Sequence, residues 1–148
     1  MIEISFPTRP HVKKYLEFKL GPDYVLSRSD FVGSTILDML SQRYINTKSN
    51  NKLVTQYSIK VPNKYIKEQG MYFTPEMFFY FNKRIDQMFF EELSSHIQLN
   101  IEKPTNYCIE FYLRKMNITD KEYSIESAAR RLRRRNSAMK NKNNVNVC

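Results

Sequence analysis

Glycine is scarce, at three residues in 148, and proline little commoner at six. So few turn residues argue against a sandwich or barrel of many short strands. Two cysteines, Cys108 and Cys148, show neither CxxC nor Cys/His spacing, and tryptophan is absent. No metal site is expected from them, and cytoplasmic residence is. Cys108 falls in an apolar pattern and reads as a core thiol. No apolar run approaches the length that spans a bilayer, and the first residues lack the shape of a signal peptide. The sharpest absence is local. From Arg130 to Cys148 there is no Asp or Glu, against seven Lys/Arg.

The net charge is +9, of which residues 1–129 supply only +2, being 17 basic against 15 acidic. Positive charge is therefore concentrated, and a block of guanidinium groups commonly meets a phosphate backbone. Five of the six residues from Arg130 to Arg135 are arginine. An apolar fraction of 41%, with ten Phe and ten Tyr, supports a folded chain. One compact domain over 1–136 followed by a disordered basic tail over 137–148 is the natural expectation.

Local patterns predict a mainly helical α+β fold. Ile2, Ile4 and Phe6 alternate with polar residues, giving a strand near 2–6. Val12, Tyr15, Leu16 and Leu20 recur at helical spacing until Gly21-Pro22, and a second helix, opened within Ser27–Asp30, runs to about Tyr44. Thr47–Lys52 reads as a polar loop. Alternation of Leu53, Thr55, Tyr57, Ile59 and Val61 gives a strand over 53–61. Asn63–Gln69 fits either a short helix stopped by Gly70 or a hairpin arm. Thr74-Pro75-Glu76 is a strong helix start, and the long central helix it opens is expected over 75–97. A helix from Thr105 or Asn106 to Met116, with a left-handed stop at Asn117, precedes a last helix over 124–136, capped by Ser124 and striped by Ile125, Ala128, Ala129 and Leu132.

The last two helices have the order of a helix-turn-helix pair within 106–136, with the arginines on the reading helix. Arg130, Arg131, Arg133, Arg134 and Arg135 would fan around its surface, with Lys140 and Lys142 following. Arg130/Arg134 and Arg131/Arg135 are like-charge i, i+4 pairs, which an anion would relieve. Arginine forks onto phosphate or guanine edges. The same cations also suit the helix C-terminus. Lys60, Lys64, Lys67, Lys83 and Arg84 could extend the positive surface.

The first 45 residues resemble the ribbon-helix-helix family of dimeric DNA-binding repressors, through Ile2-Glu3-Ile4-Ser5-Phe6-Pro7, a helix ending at Gly21, and Leu26-Ser27-Arg28-Ser29-Asp30-Phe31-Val32 opening a second helix. That resemblance implies a strand paired across a dimer, outward groove-facing residues Glu3 and Ser5 with Arg9 nearby, and a phosphate near the helix that the Ser29 region caps. The whole is also similar to small basic regulators of phages and mobile elements.

On the central helix Phe78, Phe81, Ile85, Met88, Phe89 and Leu93 form one stripe, expected to be core, while Phe79 and Phe90 fall partly off it and leave a face for a homodimer. His11 is expected at the surface and His96 near a helix end. Glu91 and Glu92 are adjacent on a helix and cannot converge as a catalytic pair. No Walker, GxSxG, HExxH or zinc motif is present. No catalytic residue, cofactor or small-molecule substrate is therefore expected. The leading expectation is DNA binding in transcription or replication. Two others stay open: an adaptor of phage structural type using the aromatic helix, and an RNA-binding protein.

Overall fold

The computed structural model describes residues 1–42 and 53–145. The expected loop over Thr47–Lys52 lies outside them, as do Tyr44 and Cys148. The fold is α+β and mainly helical, as the patterns predicted. Its order is β1 (Ile2–Thr8), α1 (Pro10–Leu20), α2 (Phe31–Ser41), β2 (Thr55–Val61), α3 (Asn63–Gln69), α4 (Pro75–Leu99), α5 (Thr105–Lys115) and α6 (Ile125–Val145). The sequence suggested one domain over 1–136. Within the chain, packing falls into two compact units, Met1–Phe89 and Phe90–Cys148, so that α4 contributes to both.

In the first unit β1 and β2 pair antiparallel, from Ile2 opposite Val61 to Thr8 opposite Thr55. The ribbon-helix-helix resemblance implies a strand paired across a dimer; within this chain the partner of β1 is β2. The other edge of β2 is taken by residues 24–26: Leu26 N donates to Lys60 O at 2.8 Å and Lys60 N to Tyr24 O at 2.9 Å. Alternation along β2 turns Tyr57, Ile59 and Val61 inward, all buried, to join Phe6, Val12, Tyr15, Leu16, Ile36 and Leu37. Phe6 is fully buried, and its ring meets Phe73, Phe78 and Phe81 edge-on at 4.9, 5.3 and 5.1 Å. Such pairs contribute about 1 kcal/mol each beyond the area they bury.

The residues that stop and start the helices act as their chemistry predicts. Gly70, at φ 69°, ends α3, which resolves the ambiguity over Asn63–Gln69 as a helix. Thr74 Oγ1 accepts from Met77 N at 3.3 Å and caps α4. For α2 the cap is Asp30, whose carboxylate accepts from Gly33 N at 2.8 Å and from the Tyr24 hydroxyl at 2.8 Å. Gly33 is needed for a steric reason, because a methyl group there would run into the carbonyl oxygen of Ser27.

His11 departs from the expectation of a surface side chain. It is buried, and its Nε2 lies 2.7 Å from Asp86 Oδ1, with Arg9 4.0 Å from the other carboxylate oxygen. Asn82, one turn before Asp86 on α4, accepts from Arg9 N and donates to Pro7 O, each at 2.9 Å. Both Asn82 and Asp86 are buried on the face that otherwise carries Phe81, Ile85 and Phe89. Polar side chains on the core face of α4 thus gave a buried histidine a partner 75 residues away.

Gly33→Ala should destabilise the fold by about 3 kcal/mol, since neither the Ser27 backbone nor the capped helix start can withdraw; urea unfolding would measure it. Burial, then the charges of Glu17 and Asp30, push the Tyr57 hydroxyl up from 10.0 to about 12. Burial and the hydrogen bond to Asp30 push Tyr24 higher still. A raised folded-state value means that the stabilisation is complete below the unfolded value of 10.0 and is lost as pH climbs through about 12. In an ultraviolet titration these two tyrosines should ionise after the exposed ones, together with unfolding. Ionisation with the exposed tyrosines would contradict this.

Candidate nucleic-acid interface

The second unit is built from residues 90–99 of α4 with α5 and α6. Its core contains Leu93, Cys108, Ile109, Leu113, Met116, Ile118, Ala128 and Leu132. Cys108 is a buried free thiol, as its apolar setting suggested. Asn117, at φ 58°, ends α5 in the left-handed conformation expected of it. Ile118 N bonds to Leu113 O and Asn117 N to Arg114 O, both at 2.9 Å. This is a Schellman closure, with Ile118 and Leu113 as its apolar contact. Thr119 and Glu122 then bind one another, with Glu122 Oε1 accepting from Thr119 N at 3.0 Å and Thr119 Oγ1 at 2.9 Å. Ser124 Oγ accepts from Ser127 N at 3.0 Å and starts α6. The link between the helices is thus closed by its own hydrogen bonds, although it is longer than an ordinary helix-turn-helix turn.

Beyond 136, where the sequence reading placed a disordered tail, α6 continues as helix to Val145. No Gly or Pro follows Ser124, and propagating a helix already nucleated and packed is easier than starting one. From Asn136 to Lys142 every residue is exposed.

The arginine run does not fan evenly around α6. Arg131 places its guanidinium 4.1 Å from the centroid of the Phe90 ring. Arg135 lies over the same ring at 5.6 Å, donates to Ser94 Oγ at 3.0 Å and pairs with Glu91 at 2.9 Å. These two arginines therefore face α4. Phe90, expected on an open dimer-forming face, is buried beneath them. The signal was present in the sequence. Arg131 lies three residues after Ala128 and Arg135 three after Leu132, so helical geometry puts both beside the buried stripe.

Arg130, Arg133, Arg134, Lys140 and Lys142 are exposed. Arg130 pairs with Glu126 at 3.0 Å, one turn earlier. Arg133, Arg134, Lys140 and Lys142 have no ion pair among the described residues. Of the seven predicted contacts, then, four are unpaired and exposed, one is exposed but paired, and two brace the helix. In the first unit the additional basic residues are partly engaged: Lys60 pairs with Asp23 at 3.6 Å, Lys64 lies over Tyr65 and Arg84 over Phe31.

The other chemistry of this unit offers less. His96 stacks on Phe111 and Tyr112 at 5.7 and 5.8 Å near the end of α4. Glu91 and Glu92 are drawn apart, one to Arg135 and the other to the Tyr112 hydroxyl at 3.4 Å. A cavity of about 320 Å³ beside the α5–α6 link is floored by Leu113, Ile118 and Ile125. Of its charged lining residues, Arg114 pairs with Glu110 at 2.7 Å and Asp120 accepts from Ile125 N at 3.3 Å. Among the described residues no three His, Cys, Asp or Glu side chains gather as a metal site, and no helix is long and apolar enough to cross a membrane. Comparison with protein-family models, curated proteins and solved structures yields no match.

If Arg135 braces α6, Arg135→Ala should lower stability by about 1 kcal/mol, the scale of a partly screened ion pair with a cation–π contact. Arg133→Ala should stay within about 0.5 kcal/mol of the parent. Equal denaturation midpoints for the two variants would remove the distinction.

Proposed function

We propose that the chain is a DNA-binding protein, a small cytoplasmic regulator of transcription or replication of the kind carried by phages and mobile elements, which contacts duplex phosphates through α6. One observation carries the reading: four cations without an ion pair among the described residues, Arg133, Arg134, Lys140 and Lys142, are exposed on one helix, with Arg130 beside them. With 21 residues, α6 is about 31 Å long. An exposed helix of this kind fits the wide major groove of B-form DNA, whereas the major groove of A-form RNA is too narrow to admit it. The arginines that face α4 support the reading indirectly, by giving the outward cations a fixed base.

A second reading, an adaptor that binds protein, is favoured by a different observation. The aromatic stripe of α4 is largely core, with Phe81, Ile85, Phe89 and Leu93 fully buried, but Leu99, Ile101, Tyr107 and Phe111 are exposed. An adaptor would therefore use the α4–α5 end of the second unit and not the aromatic helix as a whole.

Fluorescence anisotropy against duplex DNA, single-stranded DNA and structured RNA separates the readings. Four phosphate contacts predict roughly a 100-fold loss of duplex affinity between about 50 and about 200 mM salt. Arg133→Ala with Arg134→Ala should lower the slope of log affinity against log salt by about two. Tighter binding to structured RNA would move the assignment to RNA. Absence of binding at low salt would leave the adaptor reading.

A further inference from the structure

Glu126 is the last acid in the chain, and it stands on the exposed side of a helix whose other charges are all positive. A surface that only held phosphates would be weakened by it, because a carboxylate repels them. Its Oε1 accepts from Arg130 Nη2 at 3.0 Å, yet both side chains remain open, 79% and 53% exposed. Ala128, two residues from each, points the opposite way and is fully buried. Glu126 and Arg130 therefore occupy the outward centre of α6, the line of a reading helix that faces the floor of a groove.

The chemistry of that pair matches base edges better than backbone. In the major groove guanine offers two acceptors, O6 and N7, that suit an arginine fork, and cytosine offers an N4 amino donor that suits a carboxylate. Side chains already in contact at 3.0 Å can meet one G·C pair or two neighbouring ones. On the reading that α6 binds duplex DNA, we infer that Glu126 and Arg130 are its base-reading residues, specifying a G·C step, while Arg133, Arg134 and the lysines hold phosphates. The carboxylate also orients the guanidinium and discourages it from closing onto a phosphate. Because the pair is neutral as a unit, it displaces few counterions, so changing it alters sequence preference more than salt dependence.

The test selects bound duplexes from a randomised library with the full chain, then measures the parent, Glu126→Gln, Arg130→Ala and the Arg133→Ala/Arg134→Ala variant on the selected duplex and a scrambled one. Thermal melting checks that each variant is folded. The selected sites should share a G·C step. Arg130→Ala and Glu126→Gln should each cut the selected-to-scrambled affinity ratio by about tenfold or more. The double arginine variant should weaken both duplexes alike and leave the ratio in place. Three results would overturn the inference while leaving DNA binding intact: no shared sequence after selection, an unchanged ratio in both single variants, or a Glu126→Gln that tightens both duplexes equally, as expected of a merely repulsive carboxylate. Failure of the parent to bind any duplex would overturn both.

Discussion

What α6 can present to a partner depends on how the helix is rolled, and that roll is set by a few contacts on its inner side. Ala128 is small enough to let the helix approach its neighbours closely, and Leu132 continues the seam one turn later. Arg131 and Arg135 then fix the flank, the first over the Phe90 ring and the second between Glu91 and Ser94. A pair of arginines one turn apart repel by a few tenths of a kcal/mol. An aromatic face and a carboxylate offset that repulsion locally, with no external anion required. With these two turned inward, helical periodicity leaves Arg130, Arg133 and Arg134 no side but the outer one.

A run of identical residues thus divides into two classes with different electrostatics. Arg135 is partly shielded, 28% exposed, and its guanidinium is committed to neighbours that a ligand would have to displace. Arg133 and Arg134 face water, where their charges are screened over about 8 Å at physiological salt and remain available. A competing polyanion gains most from the second class, since releasing counterions from an open cation breaks no internal contact. Counting all five arginines as ligand contacts would overstate the salt response, and removing all five together would mix loss of binding with loss of helix anchorage.

The first unit uses polar groups for a comparable purpose. Asn82 and Asp86 interrupt an otherwise aromatic and aliphatic face of α4, and each binds the segment around the start of α1. Burying them is costly unless they are paired. Their partners, Arg9, His11 and the Pro7 carbonyl, come as a set. Apolar packing alone tolerates small slips of one helix along another. A hydrogen bond between fixed positions does not, so these contacts define which turn of α4 meets α1.

How far the sequence could be read follows from the range of the interactions. Strands, helix starts and stops depend on neighbours within about five residues, and Gly70, Thr74, Asn117 and Ser124 behave as their chemistry requires. Burial of Cys108 and of Phe81, Ile85, Phe89 and Leu93 on the α4 stripe follows from helical periodicity, also a local quantity, while Phe78 and Met88 at its margins are half-buried. The partner of His11 lies 75 positions away, which no periodicity encodes; periodicity puts Arg131 beside the buried stripe but does not name Phe90, 41 positions away, as the ring it covers. The end of α6 differs from expectation for another reason: a segment without an apolar stripe need not lack helix, since one free of glycine and proline can extend a packed helix into water. For the candidate interface, charge density points to α6 and helical spacing divides its arginines into inner and outer sides, but tertiary neighbours supply the contacts that hold the inner ones. Composition measures how much charge a segment carries, whereas availability is a property of each side chain's surroundings.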